Sequence, residues 1–365
     1  MSSSLTRWGI FGTGFIAGEF ARGLKALPKA QLLGISSRNP ANAQTFAQIF
    51  QVPKVYDSYE QLVKDPAIDV VYIATPNHTH KDLCLLCLQA GKPVLCEKPF
   101  ALNAQEAREI IDVARRQQLF CMEAMWMRFM PLINKVKQLI EDGVIGEVKM
   151  LTAEFGYPIA YDPKSRFFQP QYGGGALLDR GVYGLSLAYY LFGKPSAITS
   201  QAIFAPSGID EQSSMLLNYD SGKLAILSQS LSTYSSNQAI IMGTTGKIII
   251  HQLFIKPEKI SVIKFARLTQ SYPSGIVAPS FKQKLMATVK QNPLVRRLYI
   301  RLSGLIQADK VTDIVQILEG NGYNYEAIEV MNCLQTGKLE SVTMPLDETL
   351  AIMETVEQIM SQWQQ

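Results

Sequence analysis

The sequence predicts an α/β fold in two parts, a doubly wound parallel sheet and then an α+β domain with a large, mostly antiparallel open sheet. The chain has 365 residues, which is more than one hydrophobic core usually serves. Short apolar strands alternate with helical patterns as far as residue 124, as in parallel sheets. From residue 148 the pattern becomes strand-rich, with a hairpin turn at 220–222. The predicted strands are 7–11, 31–36, 55–56, 70–74, 94–96 and 120–124, then 148–155, 197–204, 212–219, 223–230, 237–242 and 246–250.

Composition and charge indicate a globular protein without a nucleic-acid partner. The chain is 47% hydrophobic and 18% charged, and a net charge of +4 is too mild to indicate nucleic-acid binding by itself. Five cysteines, an odd number without disulfide-framework spacing, favour a reducing compartment. There is no signal-peptide pattern and no apolar stretch long enough to cross a membrane. We therefore expect a soluble, cytoplasmic protein.

The first predicted strand runs into a glycine-rich turn, 12–17, and then a helix. The turn has the form G-x-G-x-x-A, in which the first glycine allows a tight turn and the second lets a pyrophosphate approach the helix N-terminus. The alternative is an ordinary glycine-rich turn, but the position between strand and helix favours dinucleotide binding. The candidate cofactor residues here are Gly12, Thr13, Gly14, Phe15 and Ile16.

The second strand ends in Ser36-Ser37-Arg38-Asn39, without the acid that usually holds the ribose 2′-hydroxyl of NAD. Arg38 can pair with a 2′-phosphate, and Ser37 lies beside it. The alternative is a loop arginine in solvent. The stretch favours NADP(H) as the cofactor, with NAD possible.

The strand 70–74 is followed by a polar stretch, 75–80, at the edge where cofactors bind. His78 and His80 have a spacing that suggests a metal, but no cysteine or carboxylate cluster completes such a site. We expect no metal, and instead a cofactor-lining role for Thr75, Pro76, Asn77 and His80. Cys84 and Cys87 lie within an apolar helical pattern and are interpreted as core residues.

The strand 94–96 runs directly into Glu97-Lys98-Pro99. A buried strand that ends in an adjacent acid and base directs both at the crevice where ligands bind. The alternative is a solvated strand end with a surface ion pair. We also expect a cis peptide bond before Pro99, because proline is where cis bonds occur.

In the second part, three glycines at 173–175 precede Asp179 and Tyr183. Four residues apart on a helix, these two share a face. A tyrosine beside a lysine can donate a proton to a carbonyl oxygen. Spacing alone favours the alternative, a core tyrosine and a helix cap.

Together, the turn 12–17, the stretch 75–80, Glu97-Lys98-Pro99, and the glycines 173–175 leading to Asp179 and Tyr183 resemble the glucose–fructose oxidoreductase / inositol dehydrogenase (Gfo/Idh/MocA) family. Within it, residues 123–131 and 320–327 resemble the branch of dimeric dihydrodiol dehydrogenases and NADP-dependent D-xylose dehydrogenases. The resemblance covers about 1–265 and 317–365, and its motifs do not specify the substrate.

The resemblance implies an N-terminal Rossmann domain, residues 1–124, and a substrate and dimerisation domain, 125–345, followed by a C-terminal helix, 346–365. It implies that Lys98 orients substrate and cofactor, that Glu97 positions Lys98 and lines the cofactor site, and that Tyr183 and Asp179 complete the catalytic group. It also implies a homodimer through the open sheet. The branch motif makes Trp126, Arg128 and Phe129 candidate substrate-binding residues.

Two features depart from the family pattern. Arg180 stands where the branch usually has an apolar residue, so we expect either a more cationic substrate pocket or an arginine that points into solvent. Residues 268–316 resemble an insertion with the pattern of a basic amphipathic helical segment. A surface helix or a lid is favoured over contact with an anionic membrane.

The sequence therefore predicts an NADP(H)-dependent oxidoreductase that transfers a hydride between nicotinamide and the carbinol carbon of a sugar or vicinal diol. Tyr183 would exchange the hydroxyl proton, with Lys98 assisting and Asp179 orienting. The alternatives are a catalytically silent NADP-binding regulatory protein and a reductase of a bulky conjugated carbonyl compound.

Overall fold

The computed structural model describes residues 5–265, Pro293 and residues 310–364. Its first sheet has six parallel strands in the order β3-β2-β1-β4-β5-β6, which confirms the doubly wound prediction. Each strand lies within two residues of its expected bounds. The strands are β1 (Thr6–Phe11), β2 (Ala30–Ser36), β3 (Lys54–Tyr56), β4 (Val70–Ile73), β5 (Val94–Glu97) and β6 (Cys121–Ala124).

The helices between these strands cover both faces of the sheet, so that the central strands are buried and read as continuous apolar runs. They are α1 (Phe15–Lys25), α2 (Pro40–Phe50), α3 (Tyr59–Lys64), α4 (His80–Gln89) and α5 (Ala104–Gln117). Cys84 and Cys87, on α4, are free and fully buried, which confirms their interpretation as core residues.

The second sheet has eight strands in the order β14-β13-β12-β11-β7-β10-β9-β8. Among the described strands of this sheet, only β7 and β10 pair in parallel, so the prediction of a mostly antiparallel sheet is confirmed. The strands are β7 (Val148–Gly156), β8 (Ala197–Phe204), β9 (Asp210–Asn218), β10 (Leu224–Ser230), β11 (Ala239–Gly243), β12 (Gly246–Ile250), β13 (Lys259–Lys264) and β14 (Lys310–Val315).

One face of this sheet packs against helices, and the other carries exposed apolar side chains. The helices of this part are α6 (Pro131–Glu141) and α7 (Val182–Phe192), and α7 contacts β7 and β10. Ala225 and Leu227 face α7 and are buried, whereas Ile226 between them is 43% exposed. Ile226 pairs with Leu216, which is also exposed, and the outer face is therefore open.

The last two helices connect the two sheets. Helix α8 (Tyr323–Gln335) packs on α1, and α9 (Leu346–Ser361) packs on α5 and α7. No helix among the described residues is long and apolar enough to span a membrane.

The expected basic helical segment, 268–316, is wrong at its C-terminal end. Residues 310–315 form the edge strand β14, which pairs antiparallel with β13. Pairing with β13 satisfies the main-chain hydrogen-bonding groups along one edge of β14, and this does not depend on the residue pattern of the strand. The remainder of the segment, 268–309, lies outside the described residues except for Pro293.

Candidate active site

The turn between β1 and α1 is shaped for a phosphate. Gly12 has φ +99°, and a Cβ there would lie 2.6 Å from the Ala74 carbonyl oxygen. At Gly14, by contrast, a Cβ would meet nothing within 4 Å, which leaves the approach to α1 open. Within the part of the chain that the structure describes, no side chain caps the N-terminus of α1. Its free N–H groups and the positive end of the helix dipole thus remain available to an anion.

The end of β2 lies beside this turn. The hydroxyl oxygens of Thr13 and Ser37 are 3.4 Å apart, and the Arg38 side chain is exposed. An exposed guanidinium without an acid in the same loop fits a 2′-phosphate better than a 2′-hydroxyl.

His80 ties the ends of β4 and β5 together. Its two ring nitrogens lie 2.9 Å from the carbonyl oxygens of Thr75 and Pro99, and burial lowers the pKa of the imidazole. The side chain has no exposed surface. The expectation that His80 contacts a cofactor directly is corrected accordingly, since it has no surface to offer. Thr75, Pro76 and Asn77 lie at the same strand end, and the Asn77 amide donates to the Gly173 carbonyl oxygen at 3.4 Å.

The Glu97 carboxyl group is hydrogen-bonded to the main chain of Lys98, the candidate catalytic lysine. This carboxyl group accepts hydrogen bonds from the Tyr72 hydroxyl and, at 3.2 Å, from the main-chain N–H of Lys98. Burial raises the pKa of Glu97 to about 7. The Lys98–Pro99 peptide bond is cis, as predicted.

The Lys98 ammonium meets Asp179 and Tyr183 across the boundary between the two sheets. Nζ donates to the Asp179 carbonyl oxygen at 2.7 Å, lies 3.6 Å from Asp179 Oδ1, and stands 4.7 Å from the centre of the Tyr183 ring. Burial alone would lower the pKa of Lys98, but Tyr183 and Asp179 raise it overall. The ammonium therefore stays charged inside the site.

Asp179 and Tyr183 are presented by an irregular turn. Residues Leu177–Gly181 form a π-helical turn that leads directly into α7. Burial works against ionisation of Asp179, yet the positive charges of Lys98 and Arg166 lower its pKa overall. Sequence reasoning missed Arg166, which lies just before the three glycines and carries no pattern that marks it.

The Tyr183 hydroxyl has one donor already in place. Trp126 Nε1 donates to it at 3.0 Å, and only 6% of Tyr183 is exposed. Burial raises the pKa of Tyr183, whereas Lys98 and the Trp126 hydrogen bond lower it. Because the indole occupies an acceptor position on the phenol oxygen, the phenol's own hydrogen is free to move to or from a bound molecule.

Aromatic rings pack on two sides of Tyr183. Phe155 meets Tyr183 edge to face at 5.5 Å between ring centres, and it also contacts Tyr157. On the other side, Trp126 stacks on Tyr323 at 4.8 Å with an interplanar angle of 5°. Tyr323 is the first residue of α8, so the C-terminal part of the chain packs against the site through this ring. Sequence reasoning identified Trp126 and missed the other rings, because aromatic residues outside a motif usually indicate packing.

Glu326, one turn along α8 from Tyr323, is another residue that the sequence did not reveal. It has no exposed surface, and neither carboxyl oxygen has a hydrogen-bond partner within the described residues. Burial, and then the charge of Glu97, raise the pKa of Glu326 well above its usual range. Burial therefore favours the uncharged form of Glu326.

Two arginines that the sequence assigned to substrate are corrected. Arg128 is fully buried, donates to the Ser186 hydroxyl at 2.7 Å and to its carbonyl oxygen at 2.9 Å, and pairs with Glu348. Arg180 is 6% exposed and donates to the main-chain carbonyl oxygens of Tyr157 and Ser230. Arg128 is thus bound to the backbone of α7, and Arg180, whose Nε also lies 3.6 Å from Asp179 Oδ2, does not point into solvent.

Phe129 also departs from its expected role. It is 8% exposed and belongs to the hydrophobic core. Of the four candidate substrate residues, Trp126 contacts Tyr183, and Arg180 Nε lies 3.6 Å from Asp179 Oδ2.

Two family models match the chain. Residues 6–125 match an oxidoreductase family with an NAD-binding Rossmann fold, GFO_IDH_MocA, and residues 133–249 match a GFO/IDH/MocA C-terminal domain.

Among curated proteins, trans-1,2-dihydrobenzene-1,2-diol dehydrogenase of Xenopus laevis is 35% identical over 361 residues, which cover 98% of each chain. The Homo sapiens protein of that name is 31% identical over 97% of this chain and 95% of its own.

Two solved structures share the fold. Levoglucosan dehydrogenase, in complex with NADH and levoglucosan, has a TM-score of 0.80 at 19% identity and covers 98% of this chain and 97% of its own. A 3-ketoreductase from Actinomadura kijaniata, in complex with NADP and TDP-benzene, has a TM-score of 0.75 at 22% identity, with 99% and 98% covered.

Proposed function

The chain belongs to the Gfo/Idh/MocA oxidoreductase family, and from that premise we propose that it transfers a hydride between NADP(H) and the carbinol carbon of a vicinal diol or a sugar. One observation carries the proposal: Lys98 Nζ, the Asp179 carboxylate and the Tyr183 phenol converge at the strand ends that face the dinucleotide turn. Such a group moves a proton next to a cofactor that moves a hydride.

The residues present fit the cofactor. Gly14 leaves room for a pyrophosphate, the uncapped α1 offers N–H donors, and the exposed Arg38 suits a 2′-phosphate. When bound, NADP(H) supplies or accepts the hydride. The names of the curated relatives, and the NADP in the 3-ketoreductase structure, support the same cofactor chemistry.

The chain's own residues handle the proton. During oxidation of an alcohol, the Tyr183 oxygen removes the hydroxyl proton, and during reduction it returns one to the carbonyl oxygen. Lys98 and the Trp126 N–H stabilise the phenolate form, since each places positive charge or a donor near that oxygen. Asp179 holds Lys98 in place through its carbonyl oxygen.

The aromatic surroundings support a substrate with one apolar face. The rings of Phe155 and Trp126 contact Tyr183, and Tyr157 packs on the far side of Phe155. Rings of this kind stack on the apolar face of a sugar or on an unsaturated diol ring. The name of the curated relatives, a diol of a benzene ring, supports the second class.

An NADP-coupled screen of aldoses, polyols and cyclic diols tests the proposal, with formation of NADPH followed by absorbance. We expect turnover with at least one diol or aldose, and a loss of at least about a hundredfold in Lys98→Met and Tyr183→Phe. Lys81→Met, on the outer side of α4, is the matched control and should retain activity.

Full turnover in both Lys98→Met and Tyr183→Phe would contradict the assignment of roles. NADPH binding without any turnover in the screen would instead support the regulatory alternative. Turnover confined to conjugated carbonyl compounds would support the reductase alternative.

We also propose that two copies pair through the outer face of the eight-stranded sheet. Ile226 and Leu216 in the middle strands, and Val311 on β14, are exposed apolar residues on that face. An apolar patch of this kind usually marks an interface. Ile226→Lys should halve the mass measured by light scattering, whereas Ile49→Lys on α2 should not, and an equal mass in the two variants would contradict the proposal.

The five free, buried thiols support a reducing compartment such as the cytoplasm.

A further inference from the structure

A buried carboxyl group that has no role in the proposed mechanism accepts a hydrogen bond from the turn that carries Asp179. Asp210, the first residue of β9, is 6% exposed. Its Oδ2 accepts a hydrogen bond of 2.8 Å from the main-chain N–H of Leu177, where the π-helical turn begins. No side chain within the turn caps that N–H. Asp210 thus supplies from another strand the cap that the turn itself lacks.

The carboxyl group is in turn fixed by two neighbours. Ser213 donates to Asp210 Oδ2 at 2.8 Å, and Gln229 Nε2 donates to the Ser213 oxygen at 2.5 Å. All three side chains are buried, and they come from β9 and β10. A chain of buried hydrogen bonds in which each acceptor is used rigidifies the elements that it joins.

The same three residues reach both ends of the turn. At its start, a Cβ on Gly175 would lie 2.2 Å from Asp210 Oδ1, so only glycine leaves room for the carboxyl group. At its end, a Cβ on Gly181 would lie 3.0 Å from Gln229 Cδ. The Asp210–Ser213–Gln229 chain therefore lies against the backbone just before the turn, at its first N–H and at its last residue.

The turn positions the main-chain carbonyl group of Asp179. That carbonyl accepts the Lys98 ammonium at 2.7 Å, which is shorter than the distance of 3.6 Å to the Asp179 carboxylate. A main-chain contact depends on backbone geometry, and an i→i+5 turn is not the geometry that a helix adopts by default. Its position must be imposed from outside.

We propose that Asp210 is a positioning residue of this active site, which fixes the π-helical turn and through it the Asp179 carbonyl that receives Lys98. The assignment rests on the proposed function for the role of Lys98. It accounts for Gly175 and for the N–H of Leu177, and it places a determinant of catalysis on β9, away from every residue that contacts substrate or cofactor.

Four variants of the full chain test it. Asp210→Ala removes the acceptor, and Asp210→Asn keeps an oxygen in its place. Ser213→Ala removes the bridging hydroxyl. Ser200→Ala is the matched control, because Ser200 is also a buried, hydrogen-bonded serine of this sheet, but its partner is Gln362.

We expect kcat to fall by at least about tenfold in Asp210→Ala, and to return to within about threefold of the wild type in Asp210→Asn. KM for NADP should stay within about twofold, because the dinucleotide turn is on the other sheet. Hydrogen exchange should accelerate at residues 177–183 in Asp210→Ala and Ser213→Ala, and not in Ser200→Ala.

Exchange at 177–183 that is no faster in Asp210→Ala and Ser213→Ala than in Ser200→Ala would overturn the proposal, whether or not kcat changes. If Asp210→Ala does not fold, Ser213→Ala decides the exchange measurement. Failure of the proposed function is distinguishable: full activity in Lys98→Met with faster exchange in Asp210→Ala would remove the catalytic role of Lys98 and leave Asp210 as the support of the turn.

Discussion

The hydrogen bond from Trp126 to Tyr183 makes the phenol a stronger acid than burial alone would allow. Trp126→Phe removes this single N–H and keeps an aromatic ring against Tyr323. The donor lies 3.0 Å from the phenol oxygen, and both side chains are more than nine-tenths buried. Little water is therefore present to replace it.

The size of the effect follows from the charge that develops on the oxygen. A hydrogen bond to a neutral group contributes about 1 kcal/mol, and one to a charged group about 1.5–3 kcal/mol. Trp126→Phe should therefore disfavour the phenolate by about 1–2 kcal/mol relative to the phenol, which raises the pKa of Tyr183 by about one unit. At a pH below that pKa, alcohol oxidation should slow by about tenfold.

The assay is the pH profile of kcat/KM for oxidation of the best diol or sugar from the screen. We expect the wild-type rate to rise with pH as the phenol ionises, and in Trp126→Phe that rise should move upward by about one pH unit. Trp363→Phe is the matched control, since the Trp363 N–H has no partner within the described part of the chain. A profile of Trp126→Phe that coincides with that of Trp363→Phe would refute the reasoning.

Three further predictions concern the cofactor turn, the adenosine end and the buried acid under the catalytic turn. Gly12→Ala should weaken NADPH binding by at least about tenfold in a fluorescence titration, because its Cβ would lie 2.6 Å from the Ala74 carbonyl oxygen. Gly91→Ala, also at positive φ but with open space, should bind normally, and equal losses in the two would count against a steric cause. Arg38→Ala should raise the Kd for NADPH by about tenfold and leave that for NADH unchanged, and a parallel rise for both would argue against a 2′-phosphate contact. Burial raises the pKa of Asp210 to about 7, so the folded protein binds this proton more tightly than the unfolded chain, and stability is lost as pH rises from about 4 to 7. Asp210→Asn should remove up to about 4 kcal/mol of that loss in urea unfolding, and an identical pH dependence in both proteins would show that the group does not titrate there.

The strands and the dinucleotide turn were predictable because their signals are local. β4 is a run of Val70, Val71, Tyr72 and Ile73, all buried, and no other short-range interpretation of such a run competes with a strand. Gly12 and Gly14 lie between such a strand and a helix, where few alternatives exist. Strands β13 and β14 were not predicted from the sequence. Their pairing joins residues 45 or more positions apart, across a segment without a clear pattern.

The candidate site was only partly predictable, and the errors have a common cause. A charged residue near a motif was taken as a residue that faces substrate, but Arg128 and Arg180 are buried and donate to main-chain carbonyl groups of Ser186 and Ser230. The sequence does not reveal where such carbonyls lie. Likewise, the four-residue spacing of Asp179 and Tyr183 assumed an α-helix, whereas the turn is π-helical and depends on Asp210 from another strand.

The stacking of Tyr323 on Trp126 affects the stage of protein synthesis at which the active site can be completed. A growing chain that has emerged as far as α7 already contains Lys98, Asp179 and Tyr183. It lacks the ring on which Trp126 stacks, because α8 begins at Tyr323, about 130 residues after α7 ends at Phe192. Domains fold as units from the N-terminus, so the dinucleotide half is complete early. The ring stack against Trp126, the donor to Tyr183, is completed only when α8 docks on α1, which makes the acid–base site one of the last parts of the molecule to be completed.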